Sequence, residues 1–399
     1  MDKVGFWFHR QTTPITSVGI VVNNVARTSP ESPPFFVGKY SDGKKFVKQI
    51  TDIPKDLVAE GRVPCADTSL KSAWNVYAAH IRSTMKETHG FAYPGIHLVG
   101  GRLEWNDDTN NVILPQFDLA ADEQATLTTR LNMPASEEER TEYFHTLKSM
   151  SDSLPILWQA QLALAFSHGA VAHFAQALKN KDIAISPFCM RSEQHGFKTP
   201  CLDVVAYAFG RGKLYTEQNF GTQFRANAIL SVPGPVGIDE KMNEKLVELI
   251  KANASGNFEG MRGRADGSGM RIPLPGVFQN ATNSDFVGEN DDGNGLKARV
   301  VVFRSMESKT IPHPEYATWM GILRGEKSGA AGKWLLLRLM DRINQVGIEE
   351  FARRIKLRSQ QLFPTIGYTK RADTLAACLI FMEMINDEAS GLLEPQKVQ

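Results

Sequence analysis

The distribution of apolar and polar positions divides the chain into a strand-rich beginning, a mixed middle and a helical end. Apolar runs at Val18–Val22 and Pro34–Val37 predict strands, the polar Lys39–Lys44 predicts a hairpin turn, and Lys45–Lys48 continues as another strand. A helix over about Ser69–Glu87 is followed by strand-like Gly95–Val99 and Val112–Leu114. From Leu119 to Glu142 the chain turns polar, and Pro134-Ala135-Ser136-Glu137-Glu138-Glu139-Arg140 has the form of a helix start with acids in its first turn. Leu157–Leu178, rich in alanine and apolar on most faces, predicts a buried helix. Ile183–Met190, Ala228–Val232 and Val236–Glu240 predict strands, Cys201–Phe209 and Lys241–Lys251 helices, and Tyr316–Leu393 is strongly helical. The fold class is therefore α/β, with a mixed β-rich domain over 1–118, a linker and helical region over 119–180, a core over 181–310 and a helical region over 311–399.

Composition narrows the class. The 399 residues are 42% hydrophobic and 22% charged, enough to bury a substantial core. The 45 basic and 44 acidic residues give a net charge of +1, which excludes a protein that coats nucleic acid along its length; any DNA contact must be a local patch. Cys65, Cys189, Cys201 and Cys378 are scattered without zinc spacing, which predicts reduced core residues. No apolar run reaches membrane-spanning length and Met1–Trp7 lacks a secretory pattern, so a cytoplasmic protein without membrane contact is expected. His168 and His173 lie five apart and do not share a helical face, which favours core histidines over ligands.

The candidate chemistry starts at Ser192-Glu193-Gln194-His195-Gly196-Phe197-Lys198-Thr199, between a buried strand and a helix. This is where a P-loop cradles phosphates: backbone N–H groups at a helix N-terminus, an ammonium for the terminal phosphates and a hydroxyl for Mg²⁺. Lys198 and Thr199 have the required types and order, but Ser192 and Phe197 stand where the pattern wants glycine. Downstream, Val236-Gly237-Ile238-Asp239-Glu240 has the shape of a Walker B element, with Asp239 for the metal and Glu240 as base toward water, although Pro233 and Pro235 interrupt a strand that should be continuous. Pro273–Asn283 is an apolar segment with a polar end, and Lys297–Arg304 is an apolar strand flanked by basic residues.

The order Lys198-Thr199, Asp239-Glu240, Asn283, Arg299 resembles the core of superfamily III helicases within the AAA+ ATPases, and more closely the helicase-like ATPases of phage and mobile elements that often accompany a primase. The gaps are even, 239 minus 198 being 41 and 283 minus 239 being 44. The resemblance covers roughly residues 150 to 385 and implies a P-loop AAA+-like core with ATP and Mg²⁺ as cofactors, Thr199 and Asp239 as metal ligands, and an arginine finger at Arg299, with Arg304 the weaker choice. It also implies an asparagine that orients the attacking water, Asn283 first and Asn280 second. Between the second and third motifs such helicases carry a basic hairpin for single-stranded DNA; here Gly267 and Gly269 supply a turn, flanked by Arg262, Arg264 and Arg271. The implied protein is a ring, expected as a hexamer, that moves along single-stranded or forked DNA in replication, with a separate primase as possible partner. The alternative is a degenerate P-loop protein that binds DNA as a scaffold or loader without hydrolysis. A basic helix at Phe351–Arg358, with four basic residues in six, faces DNA, an acidic partner or solvent.

Overall fold

The computed structural model describes residues 9–10, 13–14, 20–27, 35–42, 45–49, 68–85, 87–89, 93–107, 118–192, 196–239, 249–250, 253, 259–263, 269–283, 298–305 and 313–389, which belong to two compact units. In the first unit β1 (His9–Arg10) pairs with β2 (Thr13–Pro14), and β3 (Ile20–Arg27), β4 (Phe35–Tyr40) and β5 (Lys45–Gln49) form an antiparallel meander. Helix α1 (Thr68–Thr84) leads to β6 (Glu87–His89), which joins β3 in parallel, giving the order β5-β4-β3-β6. The register of β3 shifts between Val22 and Asn24, so that Ile20, Val22 and Val25 are all buried although strict alternation would expose Val25. From α1, Trp74, Tyr77, Ala78 and Ile81 bury one stripe at helical spacing, with Trp74 edge-on to Phe36.

The second unit begins with a hairpin, β7 (Gly95–Val99) and β8 (Arg102–Asn106), turned by Gly100 and Gly101, both at positive φ. The sequence groups these strands with the N-terminal domain, yet Ile96 and Leu103 belong to the large core of the second unit, and the Asn344 amide bonds both the N–H and the C=O of Leu103. Helices α2 (Asp118–Leu131), α3 (Glu137–Ser153) and α4 (Ile156–Lys179) follow; α3 starts on a capping box between Ser136 and Glu139. Then come β9 (Phe188–Ser192), α5 (Lys198–Phe209), a single turn at Glu217–Phe220, α6 (Gln223–Leu230), β10 (Gly234–Asp239), the paired strands β11 (Glu259–Gly263) and β12 (Gly269–Pro273), of which Gly263, Gly269 and Met270 belong to the first unit, β13 (Gly276–Thr282) and β14 (Val301–Ser305). Helices α7 (Tyr316–Leu323), α8 (Ser328–Val346), α9 (Ile348–Ile366) and α10 (Thr369–Glu388) complete the chain's helical end.

The central sheet is parallel throughout, in the order β10-β13-β9-β14. β9, β10 and β13 are buried on both faces, as their near-continuous apolar runs require. One face packs on α4 and α5, the other on a cluster including Tyr215, Phe220, Ile229 and Ile250. Gly332 of α8 lies so close to α5 that a Cβ there would meet the Ala208 carbonyl, which fixes the helix that follows β9.

Two sequence expectations are corrected. Ala228–Val232 is not a strand: Thr222 caps α6 by accepting from the Arg225 N–H, and Ala226, Ile229 and Leu230 bury a helical stripe. Pro235 does lie in a strand, because β10 is the last of the four and needs a continuous ladder only on its β13 side. His168 and His173 are core residues of α4: each Nε2–H donates to a backbone carbonyl, of Ser186 and Phe209 respectively, and burial pushes both pKa values down to about 4. Cys189, Cys201 and Cys378 are free, buried thiols, each pushed up to about 12 by burial. Among the described residues no helix is long and apolar enough to cross a membrane.

Candidate nucleotide-binding site

Parallel register brings the ends of the motif-bearing strands to one edge. Asp239 pairs with Ala281, Thr282 with Arg191, and Ser305 with Ser192, so Asp239, Ser192 and Asn283 all stand at the carboxyl edge of the sheet. In open α/β sheets that edge is where ligands bind. Helix α5 starts there with Lys198 as its first residue and points its free N–H groups outward. Pro200 falls in that first turn, where its missing N–H breaks no helical bond but does remove one phosphate donor.

Lys198 is the centre of the cluster. Its side chain is 7% exposed and donates to the Ser192 carbonyl at 2.8 Å, to Ser192 Oγ at 2.9 Å and to Asn283 Oδ1 at 2.5 Å. Burial lowers its pKa, opposed by the nearby Asp239 carboxylate. Asn283 and Asn280 thus separate clearly. Asn280 is buried within the sheet, donating to the Ile238 carbonyl on β10 and accepting from Cys189 on β9, whereas Asn283 is exposed at the edge and reaches the lysine.

Phe197 adopts φ 55° and ψ 16°, the left-handed conformation that a glycine at this point of the pattern takes freely. A strained residue of this kind costs about 1–3 kcal/mol. Burying a phenylalanine side chain returns roughly 1.5–3 kcal/mol and an aromatic pair roughly another 0.5–1.5, enough to offset it. Phe197 has both: it is 4% exposed, stacks on Trp158 with centroids 5.6 Å apart, and meets Tyr316 edge-on at 6.4 Å. Gln161, one turn from Trp158 on α4, donates to the Gly196 carbonyl at 3.2 Å.

Asp239 is fixed by an extra strand segment the sequence did not announce. Tyr215 bridges Ile238 in parallel, donating its N–H to Gly237 and accepting from the Asp239 N–H. Its phenol donates to buried Glu123, which also pairs with Arg211 at 3.1 Å and Lys213 at 2.7 Å. The Arg211 and Lys213 charges and these hydrogen bonds lower the Glu123 pKa although burial, the largest single influence, raises it. On α5, Asp203 pairs with Arg324; burial raises its pKa, the arginine pulls it down and the Asp239 charge adds a small rise. Trp158, Gln161, Tyr215, Asp203 and Arg324 carry no motif, and no local sequence signal marks any of them.

The remaining sequence candidates are placed as follows. Glu193, Gln194, His195, Glu240 and Arg264 lie outside the described residues. Arg262 and Arg271 fall on β11 and β12, which pair with each other as a two-stranded sheet. Thr199 is the second residue of α5. Arg299 is not at the carboxyl edge: it precedes β14 at the amino end of the sheet, close enough to Lys370 for its charge to lower that lysine's pKa, after burial as the larger cause. Arg304 is exposed near the carboxyl end of β14, beside Arg191. Among the described residues no group of three or more His, Cys, Asp or Glu gathers as a metal site.

No family model and no curated protein matches the chain. Among solved structures, SCCmec type IV Cch, an active helicase, superposes over 100% of this chain and 75% of its own at a TM-score of 0.57 and 14% identity. The NrS-1 C-terminal region aligns over 91% of this chain and 87% of its own at a TM-score of 0.34 and 13% identity. For JCV helicase the figures are 63% and 77%, with a TM-score of 0.27 and 13% identity. The chain therefore shares its fold, a parallel-sheet α/β core with flanking helices, with that helicase structure. In that sheet β13 lies between β10, which ends in Asp239, and β9, which leads to the start of α5.

Proposed function

We propose that the chain is an Mg-ATP-driven DNA helicase or translocase that works as a ring in the replication of a phage or mobile element. The observation that carries this reading is the meeting of Lys198, Asn283 and Ser192 at the N-terminus of α5, within electrostatic reach of Asp239. In this reading the α5 N–H groups and Lys198 take the phosphates, and Glu240, next after Asp239, activates water. Thr199 and Asp239 would hold Mg²⁺, which suits a site with one carboxylate and one hydroxyl because that ion keeps several waters and takes phosphate oxygens for the rest. When bound there, Mg²⁺ would supply charge neutralisation for the phosphates. Arg262, Arg264 and Arg271 grip single-stranded DNA without reading sequence, Arg299 serves the neighbouring subunit's nucleotide, and a separate primase is the expected companion.

The departures from the pattern, Ser192 and Phe197 where glycine is wanted and Pro200 in the first turn of α5, favour a second reading, a DNA-binding scaffold or loader that keeps nucleotide without turnover. ATPase assays with single-stranded DNA, beside light scattering with and without nucleotide, separate the two. The motor shows DNA-stimulated hydrolysis that Lys198→Ala abolishes, and nucleotide-dependent assembly. Wild-type hydrolysis no higher than that of Lys198→Ala removes the motor reading.

A further inference from the structure

Phe197 is held left-handed by side chains from two different helices, Trp158 near the start of α4 and Tyr316 at the start of α7. A strained backbone of this kind persists only where its surroundings over-determine it. Helix α4 touches the turn twice, through the Trp158 ring and through the Gln161 hydrogen bond to Gly196. The next residue along the chain is Lys198, so the torsion of Phe197 sets where the ammonium and the first N–H groups of α5 point.

We propose that Trp158 and Tyr316 are positioning residues for the phosphate site: their rings clamp Phe197 in the conformation a glycine adopts freely, so nucleotide affinity depends on how α4 and α7 pack. This rests on the P-loop reading above. When the clamp is loosened, Phe197 relaxes toward right-handed or extended backbone, Lys198 turns away, and only a fraction of molecules is competent to bind. Apparent affinity falls by that fraction. The clamp also ties the nucleotide site to the helical end of the chain, since Tyr316 opens α7.

A double-mutant cycle on the full chain tests this, with Mg-ADP as probe and titration calorimetry as readout. Tyr316→Ala and Trp158→Leu should each weaken Mg-ADP binding by about tenfold in the natural background. In a Phe197→Gly background, where the left-handed turn needs no clamp, the same changes should weaken it by less than about twofold. Phe197→Asn, which also tolerates that conformation, repeats the cycle should the glycine variant lose too much packing. Tyr316 is only partly buried, so its variant keeps the test open if Trp158→Leu fails to fold. Equal losses in both backgrounds overturn the clamp, because the two rings would then affect binding by a route other than Phe197. Wild-type protein that binds Mg-ADP no better than Lys198→Ala overturns the P-loop reading instead.

Discussion

Lys198 donates a hydrogen bond to Asn283, 85 residues further along the chain, and so joins the start of α5 to the tip of β13 across the carboxyl edge of the sheet. The same ammonium is bonded twice to Ser192. In the proposed reading, an entering triphosphate would replace some of these partners and free the asparagine amide to hold water near the terminal phosphate.

Lys198→Ala is therefore expected to lose both nucleotide binding and hydrolysis. Asn283→Ala should instead hold Mg-ATP affinity within a few-fold of wild type while lowering kcat by roughly 10²-fold, the cost of removing one preorganised group that acts in the transition state. Parallel measurement of Kd and kcat checks the separation; a large loss of affinity in Asn283→Ala contradicts it.

Replacing Arg262, Arg264 and Arg271 together with Ala should weaken single-stranded DNA binding and reduce the slope of log Kobs against log salt by about 2, at roughly 0.7 per phosphate contact. ATP affinity should stay unchanged. An unaltered slope moves the contact elsewhere, with Arg353 and Arg354 the next choice, although both already pair with Glu350.

Arg299 lies at the amino end of the sheet, away from the carboxyl edge where Lys198 stands, so in the proposed ring its catalytic effect would be exerted on another subunit. Arg299→Ala and Lys198→Ala proteins, each inactive alone, should recover part of the ATPase when mixed, because some interfaces then pair an intact lysine with an intact arginine. No recovery in mixtures shown to co-assemble would turn attention to Arg304, and the same mixing with Arg304→Ala decides between them.

His168 and His173 make stability fall with acid. Their folded pKa values, about 4, lie below the ordinary value of 6.5, so the unfolded chain binds more protons between those limits. The folded state loses relative stability as pH drops from about 6.5 toward 4, by roughly 2 kcal/mol per histidine at pH 5. Urea midpoints at pH 7 and pH 5 measure it. His168→Gln should remove about half of the histidine contribution, and an unchanged difference would mean that His168 carries none of the acid sensitivity.

Much of the fold was legible because its signals are local. The apolar period of Leu157–Leu178, the acids after Ser136 and the short buried runs before Lys198 and at Val236–Asp239 depend on neighbours within a few residues, and all appear as helix, helix start or strand. Ala228–Val232 misled because five mostly apolar residues suit either period, and the cap at Thr222 that decides for a helix lies outside that window. Pro235 looked prohibitive only while its strand was taken as central; the sheet order makes it the last strand.

The sequence by itself determined the order of the chemistry: a lysine at a strand-to-helix turn, a carboxylate at the end of one later strand and an amide at the end of another. Those assignments follow from residue type and chain order. Only the tertiary structure decided that Asn283 rather than Asn280 meets Lys198, that Arg299 stands at the opposite edge, and that a phenylalanine holds a glycine's conformation because Trp158 and Tyr316 close on it. The physical reason is the same in each case: strand pairing and side-chain packing join residues tens to more than a hundred positions apart, and no local pattern encodes which partner arrives.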